Sequence, residues 1–253
     1  MKLHYRVLGE GRPLMILHGL FGFSDNWQTH GKKLAEYFKV YLVDLRNHGH
    51  SDWNDEMSYQ LMADDVYELC QDLGLEELHL IGHSMGGKVA MQFAIDYEGL
   101  LEKLVIVDIG MKAYPMHHEH ILAGIHAVDL PSIKARREAE QKMSAHIENN
   151  GIKQFLLKNL YWKEKGQLAW RMNVPILEKK MAEILGSVKV DEVSTPTLFI
   201  RGALSNYILD DDFALIEEHF IDVDIKTIEN AGHWVHAEAP EEFIDVLLSF
   251  CLR

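Results

Sequence analysis

Residues 78–97 read LHLIGHSMGGKVAMQFAIDY. The stretch opens on the apolar run Leu78–Ile81, turns through Gly82-His83-Ser84-Met85-Gly86 and enters a helix-period segment, Lys88–Tyr97. A near-continuous apolar run of this length predicts a strand buried on both faces, the condition of strands inside a parallel sheet. Strand, tight turn and helix form the setting in which Gly-x-Ser-x-Gly carries chemistry. Small flanking residues let a strained turn push the Ser84 oxygen outward, and the following helix N-terminus lends positive potential to a developing oxyanion. Elsewhere the pattern is an ordinary Gly-rich turn; here it makes Ser84 a candidate nucleophile.

Working outward, similar runs recur at Leu14–Leu17, Val40–Val43, Leu104–Val107 and Thr197–Ile200. Helix-period stretches separate them. Tyr59, Met62, Val66, Leu69 and Leu73 share one face, with Ser58 as N-cap and Gly74 as the stop. This alternation predicts an α/β fold, a mostly parallel central sheet flanked by helices with right-handed crossovers. The rhythm breaks after Asp108. Residues 112–186 show no strand pattern and read as amphipathic helices, at Ser132–Glu148, Ile152–Trp162 and Pro175–Leu185. The expected organisation is a core of residues 1–111 and 187–253 with a helical cap, 112–186, inserted over the strand ends where ligands bind. Trp162, Trp170 and Met172 are expected to line an apolar pocket beneath it.

Composition narrows the function. The chain has 253 residues, 47% of them hydrophobic, enough for a substantial core without disulfide or metal staples. Two cysteines, Cys70 and Cys251, make no disulfide framework and fit a reducing compartment. A net charge of −14 repels phosphate backbones, so no nucleic-acid partner is expected. No signal-peptide core or membrane-length apolar window is present, so no stable membrane insertion and a cytoplasmic location are expected. The charge is uneven, however. Residues 112–186 hold twelve Lys/Arg against eight Asp/Glu, which brings an anionic leaving group such as an acyl-CoA thioester into consideration.

The partners of Ser84 must come from elsewhere in the chain. His18-Gly19-Leu20-Phe21-Gly22 ends the first buried strand, where a backbone N–H can face a tetrahedral oxyanion alongside that of Met85. Leu20 is the preferred donor, ahead of Phe21. For the base, Asn230-Ala231-Gly232-His233-Trp234-Val235-His236 follows an extended run, Asp224–Ile228, and precedes a helix that Pro240 opens. His233, directly after Gly at a strand end, is the candidate; His236 is read as packing beside it. The acid has two readings. The usual position, about three residues past Gly202, holds Ser205. Asp108 ends the strand before it in sheet order and is favoured; the Asp210–Asp212 cluster is the alternative, although acidic residues in a first helical turn ordinarily serve as caps. Ser205 is then a neutral neighbour of the His–Asp pair. Arg46 reads as a structural anchor. His117, His118 and His120 lack a nearby Cys or suitably spaced acid, so no metal is expected there.

In this order and spacing, HGLFG, DLRNHGHS, GHSMGGK and NAGHWVHAE resemble the α/β-hydrolase superfamily, and more closely the small bacterial esterases of the YbfF type. The resemblance runs nearly end to end, including FLLKNL and WRMNVPIL in the insertion. It implies the α/β-hydrolase fold, hydrolysis of acyl esters or thioesters without a cofactor, and a helical cap. It also implies an acid at Asp108 and a Ser at the usual acid position, Ser205. The expected protein is a serine hydrolase acting through an acyl-enzyme on Ser84, a monomer or homodimer whose partner is a small-molecule ester or thioester. Two rival readings are a carbon–carbon bond hydrolase or lyase, with Arg201 holding a carboxylated substrate, and a ligand receptor that binds without turnover.

Overall fold

A computed structural model describes the whole chain, residues 1–253. The first strands are β1 (His4–Leu8) and β2 (Pro13–Leu17), followed by helix α1 (Gln28–Leu34) and strand β3 (Lys39–Asp44). Next come α2 (Tyr59–Asp72), β4 (Leu78–His83), α3 (Met85–Tyr97) and β5 (Leu101–Val107). Between β5 and the next sheet strand run α4 (Glu119–His126), α5 (Arg136–Met143), α6 (Asn150–Leu157), a hairpin β6 (Leu160–Glu164) and β7 (Gln167–Trp170), then α7 (Val174–Lys179) and α8 (Met181–Ile184). The chain closes with β8 (Thr197–Gly202), α9 (Phe213–His219), β9 (Val223–Ile228), α10 (Val235–Glu238) and α11 (Pro240–Cys251).

Seven strands form one sheet in the order β1-β3-β2-β4-β5-β8-β9. All pairs are parallel except β1 on β3. The continuous apolar runs follow from covering both faces. Met15, Leu17, Tyr41, Val43, Leu80, Leu104 and Ile106 face a core shared with α2, α3 and the inserted helices. Leu14, Ile16, Val40, Leu42, Ile81, Val105 and Val107 face the other core, with α1 and α11. Strand β1 lacks such a run because HYRVL is only half-buried at the sheet edge.

The inserted segment corrects four sequence expectations. Ser132–Glu148 is helical only over Arg136–Met143. The expected helix Ile152–Trp162 stops at Leu157, and Leu160 onward pairs with β7 in an antiparallel hairpin. The two-residue connection Lys165-Gly166, with Gly166 at φ +83°, is the overlooked signal: a Gly in the left-handed region closes tight hairpins. Leu160, Tyr161 and Trp162 suit a strand better than a helix. Pro175–Leu185 breaks in two at Lys180, whose backbone leaves the helical region.

The two stems of the insertion are tied together. Val188 N–H donates to Met111 O (2.9 Å) and Tyr114 N–H to Leu185 O (2.8 Å). Beneath them the buried Lys88 ammonium, on α3, donates to Lys112 O (2.8 Å) and to Gly186 O, one carbonyl from each stem.

Candidate active site

Ser84 occupies the turn between β4 and α3 with φ +53° and ψ −121°, a conformation costly for any residue with a Cβ. The glycines around it are required by close approach. A Cβ on Gly82 would lie 2.2 Å from Gly86 O, and one on Gly86 would lie 2.5 Å from Leu17 O. The turn is therefore pressed against the end of β2, and the Ser84 side chain has only the outward direction.

His233 follows β9 on the loop that leads to α10. Its Nε2 lies 3.0 Å from Ser84 Oγ and its Nδ1 2.8 Å from Asp108 Oδ2. The geometry sets the tautomer: Nδ1–H donates to the carboxylate, which leaves Nε2 to accept from the Ser84 hydroxyl. Asp108 follows β5, is fully buried and also has a left-handed backbone, φ +48°. Its second oxygen accepts from Gly202 N–H at 3.0 Å, and Oδ2 additionally accepts from the Ser205 hydroxyl. Ser205 Oγ in turn accepts from Tyr207 N–H (3.2 Å). Ser84, His233, Asp108 and Ser205 are thus brought within hydrogen-bonding reach of one another in a chain.

The Asp210–Asp212 alternative fails on geometry. Asp210 is 82% exposed in its side chain and pairs with Arg201 (2.5 Å). Asp212 accepts from Leu209 N–H (2.8 Å) and pairs with Lys112 (2.5 Å). These carboxylates start a helix and neutralise nearby cations, the ordinary duty of acids there. Arg201 is engaged by Asp210, Thr227 Oγ1 and Ile208 O, and does not reach the cavity at Ser84.

Two backbone N–H groups beside Ser84 have no protein acceptor. Met85 N–H begins α3 and so has no partner within the helix. In the Gly19–Gly22 turn, Gly22 N–H donates to Gly19 O (2.9 Å) and Phe21 N–H to His48 Nε2 (3.2 Å). Phe21 is therefore occupied, while Leu20 N–H is left without a protein partner. The turn lies against Ser84: a Cβ on Gly19 would be 3.2 Å from Ser84 Cβ.

The loop after β3 supports this turn from below. His48 Nε2 accepts, so its Nδ1–H donates to Arg46 O (2.9 Å), and burial, with His18 beside it, pushes its pKa down to about 3. His18 is likewise neutral: Nε2 accepts from Leu45 N–H (3.0 Å) and Nδ1–H donates to Gly19 O (2.8 Å). Arg46 is a buried anchor, gripping Asp65 at 2.6 and 2.8 Å.

Residues 12–132 match the family described as alpha/beta hydrolase fold. An sn-1-specific diacylglycerol lipase, ABHD11, of Danio rerio is 38% identical over 96% of this chain and 79% of its own length. Esterase YbfF of Escherichia coli K12 is 35% identical over 95% of each chain. The chain belongs to the α/β-hydrolase family. Among solved structures, a marine microorganism esterase superposes with a TM-score of 0.95 at 41% identity, over 98% of this chain and 99% of that one.

As in an α/β-hydrolase, the cavity opens beside the strand ends. About 210 Å³ in volume, it is bounded by Ser84, His233 and Leu20 from the sheet side and by Ile121, Ile152 and Phe155 from the inserted helices. Trp162, Trp170 and Met172, expected to line it, do not. Trp162 is half-exposed on the hairpin, and Trp170 and Met172 are packed in the core. No Lys or Arg borders the cavity. Its polar wall is made of histidines. His118 is pushed down to about 4 by burial, and further by His117, His233 and His120, so it stays neutral at pH 7. His117, His118 and His120 form no group suited to a metal ion.

Two contacts escaped sequence reading. The Tyr207 ring stacks on His233, with centroids 3.9 Å apart and planes at 16°, and its hydroxyl bonds His117 Nε2 (2.6 Å). His83 Nε2–H donates to His233 O (2.9 Å). Tyr207 belongs to no spaced motif, and His83 fills the variable position of Gly-x-Ser-x-Gly, where the pattern does not specify the residue.

Proposed function

We propose that this α/β-hydrolase is a serine hydrolase that cleaves small carboxylic esters through an acyl-enzyme. The observation that carries the reading is the unbroken line from Ser84 Oγ to His233 Nε2 (3.0 Å) and from His233 Nδ1 to Asp108 (2.8 Å). Ser84 Oγ attacks the ester carbonyl carbon while its proton passes to His233 Nε2. Asp108 stabilises the imidazolium, and the N–H groups of Leu20 and Met85 receive the oxyanion. Collapse of the tetrahedral intermediate breaks the C–O bond, and the alcohol leaves with the proton from His233. Water, deprotonated by the same imidazole, then attacks the Ser84 acyl ester and releases the carboxylic acid. No step requires a cofactor.

Residues 112–186 act in this reading as the cap that supplies the acyl-binding wall. A cavity of about 210 Å³ lies below the roughly 300–1,000 Å³ typical of sites for drug-sized ligands, which favours a short acyl chain. A wall without Lys or Arg favours an ester over an acyl-CoA thioester. Several cap cations are held elsewhere: Lys112 by Asp212, Lys180 by Glu183, and Arg136 by Leu160 O. The two free, buried cysteines fit a cytoplasmic location, and either a monomer or a homodimer is compatible with a site contained in one chain.

The test is hydrolysis of p-nitrophenyl esters from acetate to decanoate, with Ser84→Ala as control. Turnover that vanishes in the variant, with its optimum among the shorter chains, is the expected result. A folded protein that turns over no ester and leaves a fluorophosphonate probe unreacted would instead be a receptor.

A further inference from the structure

We propose that Asn159, a cap residue remote from Ser84 in sequence, positions the oxyanion donor through a relay of peptide hydrogen bonds. This rests on the serine hydrolase reading and on Leu20 N–H as a donor. Asn159 lies in the turn between α6 and β6 and is completely buried. Its own backbone is committed to the cap, with N–H donating to Leu156 O (2.9 Å) and O accepting from Arg171 N–H (2.9 Å). Its side chain crosses to the core, where Nδ2 donates to Phe21 O at 2.8 Å.

Three peptide units connect that contact to the site. The Phe21–Gly22 peptide receives Asn159 at its oxygen and donates from Gly22 N–H to Gly19 O (2.9 Å). The Gly19–Leu20 peptide accepts that bond at Gly19 O, together with one from His18 Nδ1–H (2.8 Å), and its N–H is that of Leu20. Between them the Leu20–Phe21 peptide is held by His48. Hydrogen bonds in a chain polarise one another, so a donor at Phe21 O strengthens the donor at Leu20. The same bond orients the peptide planes, which matters because an oxyanion donor works only when already aimed.

Two features fit a role beyond packing. Phe21 is buried yet left-handed, φ +60°, a conformation that outside contacts must hold. Asn159 Oδ1 is buried without a partner, and the opposite amide orientation would set that oxygen against Phe21 O, so the bond to Phe21 O fixes the orientation. Because the donor sits in the cap and the acceptor in the core, cap displacement would relax the turn.

The experiment compares wild type with Asn159→Leu, which keeps the volume but loses the donor, and Asn159→Ala, which loses donor and volume without burying a charge. Steady-state ester hydrolysis is measured together with binding of an alkyl boronic acid, which forms a tetrahedral adduct on Ser84, and of a product carboxylic acid. The expected result is a fall of about 10- to 100-fold in kcat with KM nearly unchanged, somewhat below the loss of a whole oxyanion donor. Boronate affinity should fall in parallel while product affinity holds. Near-wild-type kcat in either folded variant would overturn the proposal, as would equal weakening of boronate and product. An inactive wild type would instead sink the hydrolase reading itself.

Discussion

At the residue scale the site combines strain with completed hydrogen bonding. Ser84, Asp108 and Phe21 all have φ between +48° and +60°, where a Cβ crowds the backbone. Replacing Ser84 by Gly should therefore raise stability by about 1 kcal/mol, read as an increase of roughly 2–4 °C in Tm, while abolishing turnover. A lower Tm would mean that the turn is not strained. Ser84→Ala and His233→Ala should each reduce kcat by roughly 10⁴-fold or more, because the three groups act as a unit. Asp108→Asn should cost about 10³- to 10⁴-fold by offering His233 the wrong tautomer. Asp210→Asn, at an exposed ion pair, should stay within about twofold of wild type. The reverse order in these two variants would move the acid to the second cluster.

At the element scale, what stands out is how the inserted segment is fastened. Its two stems meet at Lys88, which does not line the cavity, yet is buried under Tyr59 and Tyr114 with ring centroids 5.8 and 4.8 Å from the ammonium. Burial pushes its pKa down to about 8, still charged for the most part at pH 7. Lys88→Met keeps the stem of the side chain but leaves Lys112 O and Gly186 O without their shared donor. Each hydrogen bond to a charged group is worth about 1.5–3 kcal/mol before the relief of desolvation is subtracted, so a net loss of about 2 kcal/mol is expected. Amide exchange should quicken at Tyr114 and Val188, whose N–H bonds tie the stems together. Unchanged exchange there would show that the stems hold without the lysine.

At the scale of the whole molecule, a group of neutral imidazoles below the site sets the acid limit. Burial pushes His83 and His48 down to about 3 and holds His18, His30 and His236 below the ordinary 6.5. Trp27 stacks on His236 at 4.1 Å, and His236 O accepts from His30 Nε2–H (2.7 Å). Unfolded, these rings take up protons as pH falls through 6.5; folded, burial keeps them neutral further down, His48 and His83 to about 3. Over that interval the unfolded state binds more protons, so stability falls as pH falls. Tm should decline steadily from pH 7 to pH 4. His236→Phe, which keeps the stack on Trp27, should show a shallower decline; an identical slope would place the acid sensitivity elsewhere.

Much of this protein is legible in local order alone. Buried strands announce themselves because a parallel sheet covered on both faces demands unbroken apolar runs, and the Ser84 turn because close backbone approach admits only glycine at its flanks. His233 and Asp108 are legible as residues at strand ends, and only pairing of β5 with β8 and of β8 with β9 brings them together. The choice between Asp108 and Asp210–Asp212 needed tertiary structure, since both are acids near a predicted strand end and differ in where their side chains point. The hairpin at Leu160–Trp170 escaped because a short, half-exposed pair has a weak periodic signal. The cavity wall escaped because Ile121, Ile152 and Phe155 become neighbours only when separate cap helices pack. Sequence by itself determined the candidate nucleophile, the candidate base and the layered fold, since each depends on the order of residues within a few turns of chain. Only tertiary structure set one candidate acid, Asp108, against His233, built the cavity wall and gave Asn159 its grip on Phe21, because those depend on distances between segments that sequence spacing does not encode.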